Sequence, residues 1–158
     1  GQKGTFQSVT TEVVDVNSSS NAYMLGGKTR QAVQVNLPAG TKKWYYRITV
    51  LDIKSSYSYQ NNEAFPYLLQ NNKSMAKYAP TSYGIDFFIL GHSGDVASFS
   101  KTGNDNFSHY KDYARYKTNS FIGSCSLIQD NLWLGIKNPN SGQGLKAIVE
   151  VVAWGYYE

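Results

Sequence analysis

The sequence holds one cysteine, Cys125, in 158 residues. A single thiol cannot close an intrachain bridge, so no disulfide framework holds this fold. A chain of this length buries roughly 70% of its unfolded surface and needs neither disulfide nor metal to keep a core. Histidine is nearly as scarce, with only two. Two histidines cannot build a three-histidine zinc site, and no Cys/His cluster surrounds Cys125 to make it a nucleophile. It reads instead as a small buried strand residue. Charged residues are 16% of the chain. That argues against disorder, and the thin supply of Ala, Leu, Glu and Lys argues against a helical bundle. Fifteen Lys plus Arg against eleven Asp plus Glu leave +4. No basic run exceeds two residues, so nucleic acid is not an expected partner. No apolar run approaches the ~20 residues of a membrane-spanning helix.

What is abundant is aromatic. Thirteen Tyr, seven Phe and three Trp make 15% of the chain. Short alternating segments separated by turn residues point to an all-β antiparallel two-sheet sandwich or jelly roll of about eight or nine strands. The strongest strand is Lys43 to Asp52. Trp44, Tyr46, Ile48 and Val50 share one face and enter the core, while Lys43, Tyr45, Arg47 and Thr49 face the other way and stay at least partly wet. Val33, Val35 and Leu37 mark an earlier strand. Ile85 to Leu90, Ser120 to Ile128, Leu132 to Lys137 and Lys146 to Trp154 mark later ones. Both faces of the last are apolar, so Glu150 needs a partner there. Thr11 to Val16 reads as the first strand and Ala22 to Leu25 as a short one. One short helix is expected near 64–70, with Pro66 in its first turn. Tyr57, Tyr59 and Tyr67 cover that helix and the loop before it. Residues 1–10 read as a flexible N-terminus and 11–158 as one sandwich domain. A small outer-membrane barrel is disfavoured, because polar runs take too much of the chain and the strands are too short.

Gly91-His92-Ser93-Gly94-Asp95 follows an apolar strand and resembles a nucleophile elbow. The fifth position is Asp rather than Gly, and the elbow needs a following helix and a parallel sheet. The segment reads as a hairpin turn, with Val96 to Ser100 as the partner strand. Asn104, Asp105 and Asn106 offer oxygen ligands but lack the EF-hand order, so no metal is expected. No cofactor is expected either.

Phe107, Tyr110, Tyr113 and Tyr116 recur every three residues within a long polar connection, Lys101 to Asn119. With Arg115 they form the candidate ligand-binding set. Tyrosine rings stack on sugar faces, and nearby polar groups satisfy sugar hydroxyls. The bland alternative is a loop pinned to the sandwich by its rings.

Val33-Gln34-Val35-Asn36-Leu37-Pro38-Ala39-Gly40 leads into Trp44-Tyr45-Tyr46, and Asn131 to Asn138 precedes a valine-rich last strand. These patterns resemble secreted bacterial β-sandwich accessory modules of the jelly-roll or pre-peptidase-like kind. The resemblance implies a noncatalytic extracellular or periplasmic binding module. Glycan, through the aromatic set, is the favoured partner. A structural or protein-interaction domain of the cell envelope, meeting a cell-surface protein, is the alternative. A small hydrolase is the remote one, requiring a pocket that joins His92 or His109 to a carboxylate or serine. The chain begins at Gly1, which fits a processed exported chain or a residue left by tag removal. The expected location is secreted, periplasmic or cell-surface.

Overall fold

The computed structural model describes residues 3–56 and 80–157. The helix expected near 64–70, with Tyr57, Tyr59 and Tyr67, lies outside the described residues. Among the described residues eight strands follow in chain order: β1 (Thr5–Val16), β2 (Arg30–Gln34), β3 (Thr41–Asp52), β4 (Ile85–Leu90), β5 (Arg115–Thr118), β6 (Ser120–Cys125), β7 (Trp133–Lys137) and β8 (Leu145–Gly155). They form two four-stranded sheets, in the orders β1-β8-β3-β6 and β2-β7-β4-β5. Every pairing is antiparallel.

The strand order has a simple origin. β4 pairs with β5, β3 with β6, β2 with β7 and β1 with β8, as in one long hairpin ribbon folded at its middle. Rolling that ribbon brings β8 beside β3 and β7 beside β4. This is the jelly-roll form of the sandwich.

Alternation places the core. Trp44, Tyr46, Ile48 and Val50 of β3 meet Ala147, Val149, Val151 and Ala153 of β8 in one buried cluster. From the second sheet come Val33, Ile85, Phe87, Ile89, Leu134 and Ile136. Rings join the layers: Tyr46 stacks on Phe87 at 5.0 Å, and Phe121 meets the edge of Phe87 at 5.0 Å. Gly123 lies opposite Tyr46 in the β3/β6 register, and a side chain there would run into the Tyr46 ring. The Trp44 indole donates to the Leu127 carbonyl at 2.8 Å, which satisfies its one buried polar atom.

The far face of β3 is drier than its sequence suggests. Arg47 and Thr49 are buried, not wet. Arg47 and Glu150 are register partners on β3 and β8. The guanidinium donates to both carboxylate oxygens of Glu150, at 2.8 and 2.9 Å. Glu150 thus has the partner its strand demanded, and the polar half of the second face is an ion pair.

Further segments differ from the sequence reading, among them β5, which lies within the expected connection Lys101 to Asn119. β1 begins at Thr5, so residues 5–10, expected to be loose, are strand. None of their side chains is buried and they show no apolar alternation; main-chain pairing to Val151 through Gly155 orders them. Ala22 to Leu25 is helical, the end of α1 (Ser19–Leu25). The Ser18 hydroxyl caps it by accepting from the Asn21 amide, and Gly26 closes it at φ 81°. Val96 to Ser100 is not a hairpin strand. Its residues through Phe99 belong to α2 (Ser93–Phe99). Asp95 in the first turn suits the helix dipole, and Val96 and Phe99 fall on one face. Phe99 is buried over Gly135 of β7. A helix thus does follow Gly91 and His92, but the sheet it leaves is antiparallel.

Candidate functional site

The connection from α2 to β5 is held at several points. Arg30 of β2 is buried and donates to the Phe99 and Asn104 carbonyls and to Asp105 Oδ1. The Tyr110 amide donates to the Ile89 carbonyl at 3.0 Å. Its hydroxyl donates to Gln129 Oε1 at 3.0 Å, and Gln129 in turn donates to the carbonyls of Gly91 and Asn131. The Tyr110 ring lies against Gly91, where an added Cβ would come 2.6 Å from the phenol oxygen. A single 3-10 turn, Lys111–Tyr113, then delivers the chain to β5.

β5 is an edge strand with a bulge. Ile85 faces Thr118 and Phe87 faces Arg115, so β5 has one residue too many between those pairs. Lys117 takes φ 51° to absorb it. Its amide donates to Asp86 Oδ1 at 3.0 Å, replacing a ladder bond. Consecutive strand side chains point to opposite sides. Arg115 packs over Phe121 at 4.8 Å, towards the sheet of β6. Tyr116 meets the edge of Phe88 at 5.6 Å, on the other side.

The five candidate residues therefore divide. Tyr113 and Arg115 line one cleft, Phe107 and Tyr116 line another, and Tyr110 is bonded into the scaffold. The rings do not gather into one platform. Tyr110 and Tyr113 pack on the main core, while Phe107 packs on the smaller cluster of Phe88, Leu90 and Phe99.

The first cleft is about 680 Å³ and follows β6, the edge of the first sheet. Its walls include Tyr45 and Tyr46 of β3, Ser124 of β6, and Asp112, Tyr113 and Arg115. Ser124 and Arg115 are exposed and Tyr45 and Tyr113 are half-buried. The interaction of the Tyr113 phenol with the Cys125 thiol, then burial, raises the phenol above its ordinary value. Burial likewise raises Cys125, and raises Tyr46 to about 12. All three are protonated and uncharged at neutral pH, so the thiol is not a ready nucleophile. The formal charges on the walls are one carboxylate, Asp112, and one guanidinium, Arg115.

The second cleft, about 260 Å³, lies on the outer side of β4 and β7. Asp86, Asp105, His109 and Lys137 line it with Phe88, Phe107 and Tyr116. Phe88 stands edge-on to Phe107 and His109, each at 5.0 Å. Lys137 donates to Asp105 Oδ1 at 3.1 Å. His92, by contrast, is exposed at the start of α2 and makes no side-chain cap bond. Among the described residues, no group of three or more His, Cys, Asp or Glu could hold a metal ion. No described helix is long and apolar enough to cross a membrane.

The sequence pointed to Phe107, Tyr113 and Tyr116 through their spacing and to Arg115 as a charge among them, but did not single out Tyr45, Asp112 or Ser124 as ligand-binding residues. Tyr45 was visible as the off-core position of β3. Ser124 gave no signal, because its place opposite Tyr45 depends on the β3/β6 register. No family model matches the chain, and neither does any curated protein.

Proposed function

We propose that this chain is a noncatalytic extracellular or periplasmic binding module whose ligand is carbohydrate, held in the cleft along β6. One observation carries this reading. The half-buried rings of Tyr45 and Tyr113 share a 680 Å³ cleft with Asp112, Arg115 and Ser124. Rings supply flat apolar area for the C–H face of a pyranose. The carboxylate accepts from sugar hydroxyls, the guanidinium donates to them, and serine does either. The scaffold is rigid where it matters, because Tyr113 follows the pinned Tyr110 and Arg115 rests on Phe121. Binding then orders few side chains, which is the preorganised case.

The test is calorimetric titration with a panel of soluble glycans, together with pull-down on insoluble polysaccharides. Tyr113→Ala and Arg115→Ala should each weaken binding about tenfold or more, the equivalent of ~1.4 kcal/mol. Absence of binding across the panel overturns the reading.

A second reading has its own observation. On α1, Tyr23, Met24 and Leu25 are 91%, 77% and 84% exposed, and no residue of that helix is buried. Adjacent large apolar side chains in water favour a protein-interaction role at the cell envelope.

A further inference from the structure

The smaller cleft, on the far side of β5 from the first, holds groups whose bonding capacity the fold leaves unused. His109 Nδ1 is buried and meets no hydrogen-bond partner among the described residues. Buried polar atoms are nearly always paired, so an orphan calls for a reason. Asp86 is buried as well. Its carboxylate lines the cleft and accepts the Lys117 amide at Oδ1. Tyr116 is 63% exposed, with its ring braced by the edge of Phe88.

We infer that this cleft binds one neutral sugar ring, with its face on Tyr116 and its hydroxyls on Asp86 and His109. The inference extends the carbohydrate reading above and rests on it. Three properties select the ligand. The first is charge. Asp86 and Asp105 are balanced by Lys137 and by Arg30, which reaches Asp105 from β2. Two negative and two positive groups leave no net charge for an ionic ligand to neutralise, and burying a further charge there is unfavourable. The second is size. About 260 Å³ is below the usual 300–1,000 Å³ of pockets for drug-sized ligands, which suits one ring rather than a chain. The third is hydrogen bonding. A hydroxyl can donate to a carboxylate and either donate to or accept from an imidazole nitrogen, so one diol answers both groups. A purely apolar ligand would leave them unpaired.

The test uses the two histidines as reporters in imidazole NMR. His109 lines the cleft, and exposed His92 serves as the control. Glucose, galactose, mannose and N-acetylglucosamine are titrated separately into the intact protein, with ethylamine as a cationic probe. The expected result is a saturable shift of His109 with at least one sugar and none of His92. Tyr116→Ala should weaken that response at least tenfold, and Tyr113→Ala should leave it unchanged. Tyr116 is exposed, so its replacement leaves the fold intact, which a circular dichroism melt checks. A His109 that stays silent to all four sugars overturns the inference, as does an undiminished response in Tyr116→Ala or a response to ethylamine alone. The two sites fail separately. Glycan binding that depends on Tyr113 with a silent His109 removes only the second site. A His109 response without any Tyr113-dependent binding removes only the first.

Discussion

Asp86 shows how one residue serves the fold and strains it at once. Its carboxylate replaces the ladder bond that the β5 bulge removes, by accepting from Lys117. Burial raises its pKa above the ordinary 3.8, and the Lys117 amide, Lys137 and Lys117 pull it back only in part, while Asp105 pushes it further up. His109 faces it across the same cleft. A raised native pKa means that the folded state holds this proton more tightly than the unfolded state does. Its contribution to stability is complete below the unfolded value and is lost as pH rises through the folded one. Asp86→Asn keeps an oxygen for Lys117 and removes the charge. The variant should melt above the wild type at pH 7, with the difference vanishing below about pH 3.8, as thermal unfolding across pH would show. A residue like this is hard to read in a sequence. Asp86 interrupts an apolar strand and draws notice, but the bulge residue it bonds, Lys117, is 31 residues away. The core residues are the opposite case. Trp44, Tyr46, Ile48 and Val50 declare themselves by alternation alone, since period two is a local property.

At the scale of elements, long strands are legible and short helices are not. β3 and β8 carry enough residues for the period to show. α1 and α2 have seven residues each, so an apolar pair at helical spacing is all they present, and a strand fits that as well. Their caps decide the matter. The Ser18 hydroxyl and the left-handed Gly26 fix α1, and the seat of Phe99 over Gly135 fixes α2. The β3/β8 pair shows what burial adds to alternation. Arg47 reads as a surface residue until Glu150 is placed opposite it. Removing one partner of a buried ion pair is costly because the remaining charge stays desolvated. Glu150→Ala should therefore lower stability by ~3–5 kcal/mol, seen as a lower urea midpoint with little change in slope. Glu150→Gln keeps a hydrogen-bond acceptor for Arg47 and should cost less.

At the scale of the whole molecule, the fold class is readable and the jelly-roll order is not. Strand count and turn spacing give a sandwich. Which strands become neighbours depends on the pairing along the ribbon and on its roll, which together set β8 between β1 and β3. The first cleft inherits that difficulty, since it needs β3, β6 and the approach to β5 brought together. The spacing of Tyr113 and Tyr116, with Arg115 between them, is visible in the sequence, whereas β5 turning alternate side chains into separate clefts is not. The α1 patch belongs to this scale too. Replacing Tyr23, Met24 and Leu25 by serine removes no buried contact, so each change should stay within about 0.5 kcal/mol of the wild type by urea unfolding. Glycan binding should be unaffected, while any envelope-protein contact made through α1 should be lost.

The most direct test of the account is glycan titration of wild type beside Tyr113→Ala and Arg115→Ala, each confirmed folded by its melt. Saturable binding of at least one glycan, weakened about tenfold or more by each substitution, is the predicted result. Binding that survives both substitutions unchanged, or no binding at all, would contradict it.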